Sequence, residues 1–394
     1  MASKRKNGEG TYGKKIINGI EYFFYRDVNK KMFYGRTEKD LMQKIKKYKN
    51  STEFIVSNKT TIYEYSLMWL ENKKMSIKRK TYDGYEYIVE YVIGCPDGFD
   101  LGSKQLSSVT ENQVHSFING MATKHARSTI VKTKALLNQI FNLAVKEKYI
   151  VVNPIRDVVI PIEDNIEKKT KEIVFLSTED MDKLTIEADR VLSSKSPDKL
   201  YYGNNAKAIV FLYNTGLRIG ELIGLQWKDV DMDRNRIKVT MTDSLIKNRN
   251  RDGQAKHKLD RTSPKSKASV RWVPLSDKAI EVIKYFDKFN PNHTDKDYVF
   301  LNKDFNRIKA SLVNRTLKNM LSRADCKIKH CSVHELRHSF GSVLILNGVD
   351  IKVVSKLLGH SKITTTYDIY VHILPTQEDD AIRVLNKRTE DENK

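Results

Sequence analysis

The hydrophobic periodicity of this chain changes character twice, and a single architecture cannot satisfy all three patterns. Near the N-terminus apolar and aromatic residues come in short runs: Lys14 to Ile17, Ile20 to Asp27 and Lys31 to Gly35. The breaks at Asn18-Gly19 and Asn29-Lys30 suit hairpin turns. Thr37 then stands where a helix cap belongs, before Leu41, Ile45 and Tyr48 at helical spacing. From Thr60 the pattern is wholly helical. Its stripes are Ile62, Tyr65, Trp69 and Leu70; Tyr82, Tyr85, Ile88 and Val92; Val114, Phe117, Ile118 and Met121; and Leu136, Ile140, Leu143 and Ala144, before the stop at Asn153-Pro154. Pro161 to Lys171 is polar and aperiodic, a linker. Beyond it, helical segments at Asn205 to Tyr213 and Arg218 to Leu225 are followed by strand-like alternation at Arg236 to Thr240 and Ser269 to Val273.

The expected fold is multidomain: a three-stranded sheet plus one helix over 1–50, an all-α domain over 60–160, and a mixed α+β, mainly α, domain over 171–394. A length of 394 residues agrees with two or three domains.

Charge narrows the function. Lys and Arg number 70 against 49 Asp and Glu, a formal +21, and such a field attracts polyanions, with nucleic acid the expected partner. Residues 1–50 hold 14 Lys and Arg against 5 Asp and Glu. Their run Tyr22-Phe23-Phe24-Tyr25-Arg26 suits a sheet that packs alternate aromatics on its helix and turns the others outward, beside Lys and Arg, to read a groove. In the helical region Lys124, His125, Arg127, Lys132 and Lys134 fall outside the apolar stripes. Residues 247–267 carry 8 Lys and Arg against 2 Asp and Glu around Asp252-Gly253, a solvated hairpin whose charge also suits phosphates.

Other classes fit less well. No apolar run approaches the ~20 residues needed to span a bilayer. The start, Met1-Ala2-Ser3-Lys4-Arg5-Lys6, lacks the apolar segment of a secretory signal. Three cysteines, Cys95, Cys326 and Cys331, form no disulfide framework and suit a reducing compartment. The expected location is the cytosol. Cys326, His330, Cys331 and His334 invite a zinc reading, but their spacing matches no common zinc pattern.

Against that background one ordered set of residues carries chemistry. Attack on a phosphodiester gathers negative charge on its non-bridging oxygens, which calls for fixed cations, and the planar fork of Arg serves best. Arg218 follows the break at Gly216 at a helix start, with Glu221 placed to pair with it. Arg337 is three residues after His334, so one helical face offers a cation and a proton carrier. His360 follows Gly359 at a helix end, and the next run leads to Tyr370. A phenol of pKa ~10 is a poor nucleophile unless a base takes its proton or cations lower its pKa. The departing 5′ oxygen needs a general acid, a task for which Lys265, in the turn Pro264 to Lys267, is placed; Lys267 is its rival.

These residues resemble the tyrosine recombinase (phage integrase) family. The matching segments are TGLRIGELIGLQWKDVD at 215–231, PKSKASVRWVPL at 264–275, HELRHSFGSVLILNG at 334–348 and LGHSKITTTYDIYVH at 358–372. The resemblance implies that Arg218, Lys265, His334, Arg337 and His360 activate the phosphate, with Tyr370 as nucleophile and Glu221 as a supporting acid. Tyr370 is preferred to Tyr367 because Ile369-Tyr370-Val371-His372 fits the family's Tyr-x-His ending. The 171–394 region would be the catalytic domain, 60–160 the core-site DNA-binding domain, and 1–50 the arm-binding module of conjugative-transposon and phage integrases. The family cleaves one strand at a time through a 3′-phosphotyrosine, needs no cofactor, neither ATP nor metal, and works as a homotetramer through a Holliday junction. An excisionase and a DNA-bending protein are the implied accessory partners. Beyond Tyr370, Ala381, Ile382, Val384 and Leu385 suit a short amphipathic helix that docks on a neighbouring protomer or packs on its own domain.

Two other readings fit the same chemistry less closely. A type IB topoisomerase relaxes DNA without pairing sites, and so has no use for a basic N-terminal module. A non-catalytic DNA-binding regulator has no use for the full catalytic set. Within recombinases, an arm module favours the integrase of a mobile element over a chromosome-dimer resolvase.

Overall fold

The computed structural model describes residues 11–26, 32–52, 59–94, 100–169, 174–193, 199–249, 255–263 and 267–371. The chain divides into two compact units, Met1–Lys171 and Glu172–Lys394.

In the first unit β1 (Thr11–Ile17), β2 (Ile20–Arg26) and β3 (Met32–Gly35) form an antiparallel meander. Asn18 and Gly19 have φ of 51° and 78°, the two positive values that a type I′ hairpin demands, and Ile17 pairs with Ile20 across the turn. The second expected turn, Asn29-Lys30, lies outside the described residues. α1 (Glu38–Thr52) starts at Thr37, whose Oγ1 accepts the Asp40 N–H at 3.1 Å. Its Leu41 and Ile45 bury against Tyr25, with Phe23 and Phe33 closing the cluster. The pleat therefore sends Tyr22, Phe24 and Tyr34 to the other face, together with Lys15 and Arg26.

The helical part of this unit comprises α2 (Ile62–Lys73), α3 (Arg79–Ile88), α4 (Glu111–Gly120) and α5 (Arg127–Lys146). Capping boxes start two of them: Thr61 with Glu64, and Thr110 with Gln113. All four apolar stripes meet in one core. α3 continues as a π-helical turn, Val89–Ile93, which keeps Val92 and Ile93 buried. Lys124, Arg127 and Lys132 are exposed, whereas His125 and Lys134 are half-buried.

The second unit runs α6 (Thr178–Ser193), α7 (Lys199–Thr215), α8 (Ile219–Ile223), β4 (Val230–Asp231), β5 (Arg236–Val239), β6 (Thr242–Lys247), β7 (His257–Thr262), β8 (Arg271–Pro274), α9 (Asp277–Phe289), α10 (Ala310–Arg323), α11 (Val333–Leu346), α12 (Ile351–Leu358) and α13 (Ile363–Tyr370). α7 is its axle, packing on α6, α9, α10 and α11. One antiparallel sheet has the order β4-β5-β8, and β6-β7 is a separate hairpin. α7 begins earlier than periodicity implies because Asn204 is a buried polar residue on its core face. Asn204 donates to the Leu301 carbonyl at 2.7 Å and accepts from the Tyr285 hydroxyl at 2.7 Å. α8 is shorter than expected, ending at Ile223 with Gly224 as its C-cap. β8 starts at Arg271 rather than Ser269, because Lys267–Ser269 forms a 3-10 turn. Among the described residues no helix is long and apolar enough to cross a membrane.

Candidate active site

Arg337 organises the site. It lies on α11, is 2% exposed, and spends its fork on two distant carbonyls. One nitrogen donates to Gly216 at 2.8 Å and another to Leu358 at 2.5 Å. Gly216 is two residues before Arg218, and Leu358 two before His360, so one guanidinium gathers three of the sequence motifs. Burial and the neighbouring Arg218 act against its charge, with Glu221 opposing them, yet a guanidinium keeps its proton at pH 7.

Arg218 starts α8. Its backbone N–H donates to Glu221 Oε2 at 3.0 Å and its side chain to Oε1 at 2.8 Å. The Arg218 side chain is 36% exposed while that of Glu221 is 3% exposed: the acid is a buried anchor and the guanidinium keeps a solvent-facing side. Burial opposes the Glu221 charge, but Arg271 and Arg218 prevail and hold it below the ordinary carboxylate value.

His334, in the first turn of α11, sits edge-on to His338 at 4.8 Å between centroids. Burial, then the charges of Arg337 and Arg218, holds His334 below the usual imidazole value. His360 follows the C-cap of α12, where Gly359 has φ of +67° and a Cβ would crowd the Arg271 guanidinium at 2.9 Å. His360 Nδ1 shares a hydrogen bond of 2.8 Å with the Thr366 hydroxyl. Burial and the charges of Arg337 and Arg218 push His360 down to about 4, so it is neutral at pH 7.

Tyr370 ends α13 and is 1% exposed; Tyr367, its rival, is 50% exposed. The Tyr370 ring packs beside Phe175 and His338, with centroids 6.3 Å from each. Burial pushes its phenol up to about 12, against the pull of Arg337. Arg218, His334, Arg337, His360 and Tyr370 are thus brought together. Lys265 lies outside the described residues, as does the tail at 381–385. The backbone of Lys267 opens the 3-10 turn before β8.

Four contributors escaped sequence reasoning. Arg271, on β8, donates to both carboxylate oxygens of Glu221 alongside Arg218. Its signal was an arginine on the core-facing phase of a strand: Arg271 and Val273 are buried, Trp272 and Pro274 exposed. His338 lies between His334 and Tyr370, and burial with the His334 and Arg337 charges pushes it down to about 4. Gly341 leaves room for the Tyr370 hydroxyl, and Thr366 orients His360. The last three carry no signal without the packing. Among the described residues, no cluster of His, Cys, Asp or Glu could hold a metal. Cys326 is buried with its thiol toward the Asp180 carbonyl, and Cys331 leans on the Ser332 carbonyl.

Comparison with known proteins identifies relatives of this chain. Residues 174–377 match the phage integrase family, and residues 61–122 match the phage integrase N-terminal SAM-like domain. A tyrosine recombinase XerC-like protein of Caldanaerobacter subterraneus subsp. tengcongensis is 30% identical over 399 residues, 94% of this chain and 97% of that protein. The ICEBs1 integrase of Bacillus subtilis is 26% identical over 327 residues, 79% of this chain and 78% of that protein. A solved structure of the Tn1549 transposon integrase in complex with transposon right end DNA matches in fold, with a TM-score of 0.65 at 22% identity, over 83% of this chain and 99% of that one. The chain belongs to the phage integrase family of tyrosine recombinases, whose activity is the cleavage and rejoining of DNA.

Proposed function

We propose that this chain integrates and excises a mobile element by site-specific recombination, with Arg218, Arg337, His334 and His360 binding one scissile phosphate and Tyr370 attacking it. The observation that carries this reading is the grip of Arg337 on Gly216 and Leu358, which sets the Arg218 and His360 segments around one point. Relatives named as the ICEBs1 integrase and as a transposase from transposon Tn916 support the biological role.

The chemistry follows from the charges. The two guanidiniums neutralise the non-bridging oxygens as charge builds there. His334 and His360, neutral at pH 7, add N–H bonds without further repulsion among cations. The Tyr370 oxygen forms a bond to phosphorus while the bond to the 5′ oxygen breaks, leaving a 3′-phosphotyrosine. The phenol's proton passes to a neutral imidazole of this set, and the departing 5′ oxygen takes a proton from Lys265. The phosphotyrosine preserves the bond energy, so attack by a 5′ hydroxyl from a partner duplex rejoins the strand without ATP.

The rest of the chain is assigned to DNA and to assembly. The 60–160 domain grips core sites. The face of the N-terminal sheet that carries Lys15, Tyr22, Phe24, Arg26 and Tyr34 binds arm sites, as its mixture of cations and aromatics suits. A homotetramer holds two sites through a Holliday junction, assisted by an excisionase and a bending protein, in the bacterial cytoplasm. A nicked suicide substrate, from which the 5′ product diffuses away, tests the core of the proposal. A covalent adduct that disappears in Tyr370→Phe is the expected result, and strand joining by Tyr370→Phe would overturn the assignment. Recombination of two-site plasmids, with no relaxation of a single-site plasmid beyond it, separates the enzyme from a topoisomerase.

A further inference from the structure

We propose that Arg271 is a positioning residue for strand cleavage: by balancing the buried Glu221 carboxylate, it keeps the Arg218 guanidinium free for the phosphate. Glu221 receives four hydrogen bonds. Two come from Arg218, through its backbone N–H and one side-chain nitrogen. The other two come from Arg271, at 3.2 Å on Oε1 and 3.0 Å on Oε2. The Arg271 and Glu221 side chains are 4% and 3% exposed, so neither draws on solvent.

Removal of Arg271 would leave a buried carboxylate with Arg218 as its one cation among these partners. An uncompensated buried charge is costly, and the cheapest remedy is a second hydrogen bond from Arg218. That bond would turn the fork into a bidentate pair with Glu221 and withdraw it from the substrate side. Arg271 prevents this by covering both carboxylate oxygens. It also braces the other half of the site. Its Nε donates to the Leu357 carbonyl at 2.6 Å and one terminal nitrogen to the Ser269 carbonyl at 3.2 Å. Its guanidinium fills the space that the missing Cβ of Gly359 leaves open, next to His360. Arg271 and Arg337 thus hold consecutive carbonyls, Leu357 and Leu358, at the C-terminal end of α12, where unpaired carbonyls favour cations.

The inference rests on the reading of Arg218 as a phosphate ligand, and the experiment keeps the two apart. Single-turnover adduct formation is measured on two suicide substrates, one with the natural phosphodiester and one with a methylphosphonate at the scissile position, which lacks the charge that Arg218 would neutralise. Arg271→Gln should slow cleavage of the phosphodiester roughly ten- to a hundredfold, by analogy with the loss of a group that orients a metal-ligating side chain. DNA affinity should be unchanged, and the deficit should shrink on the methylphosphonate. In Glu221→Gln/Arg271→Gln the buried anion is gone, so this double variant should cleave faster than Arg271→Gln alone. If Arg271→Gln does not fold, Arg271→Lys keeps the charge and should show a smaller deficit with the same dependence on substrate. An equal deficit on both substrates, a double variant slower than Arg271→Gln, or no deficit at all would overturn the proposal. Failure of the natural chain to form an adduct, or of Arg218→Gln to recover on the methylphosphonate, would instead overturn the reading of the site.

Discussion

The Tyr370 hydroxyl rests against Gly341, one turn beyond Arg337 on α11, where any side chain would overlap it. The proposed nucleophile is therefore stored in a closed seat, with its proton held by burial, and for attack the phenol has to leave that seat. Storage and activation are opposed states of the same residue.

Gly341→Ala should evict the ring. Overpacking of this kind costs about 1–3 kcal/mol, so the melting temperature should fall while nitration of Tyr370 in the DNA-free protein rises. An unchanged melting curve and unchanged nitration would mean that the seat is not occupied in solution.

Tyr367→Phe should form adduct at the natural rate, because its ring is half exposed, whereas Tyr370→Phe should form none while binding DNA normally. Mass spectrometry of the trapped peptide decides between the two tyrosines. Attachment at Tyr367 would require the α13 register to be reassigned.

Arg337→Lys keeps a charge but cannot reach both the Gly216 and Leu358 carbonyls, since an ammonium lacks the planar fork. Cleavage should fall by about 10²- to 10³-fold, the range seen when one preorganised donor to a developing oxyanion is removed. Stability should fall too, because a buried carbonyl loses its partner. A Lys variant as active as the natural chain would sink the organising role given to this residue.

Acid should destabilise the second unit through His338. Its folded value of about 4 lies below the ordinary imidazole value near 6.5. The neutral form is thus favoured by folding, and its contribution is complete above pH ~6.5. As pH falls from there toward 4 the unfolded chain takes up the proton first, and stability is lost. The melting temperature should drop across that window, and His338→Phe should flatten the drop. An identical pH slope in the variant would remove His338 from the account.

Lys15→Ala and Arg26→Ala, on the outward face of the N-terminal sheet, should weaken binding to arm-site DNA and lower its salt dependence. Every cation withdrawn from a phosphate should reduce the logarithmic salt slope by about one. Core-site binding measured on a separate duplex should not change. Equal weakening on both duplexes would assign this face to general attraction instead.

Much was legible in the chain because it is local. The hairpin turn at Asn18-Gly19, the Thr37 cap and the four helical stripes depend on residues within a few positions of one another, and the folded chain keeps them. The order of Arg218, His334, Arg337, His360 and Tyr370 was legible because phosphate chemistry restricts which side chains can serve. Their convergence was not, since it requires Arg337 to bridge carbonyls 121 and 21 residues away. Nor were the roles of Arg271, His338 and Gly341 legible. An arginine becomes a counter-ion, an imidazole is held neutral and a glycine becomes a seat only when packing excludes water and places the partner group. Composition and period decide which elements form, whereas the protonation and reach of each side chain are set by what the fold buries around it.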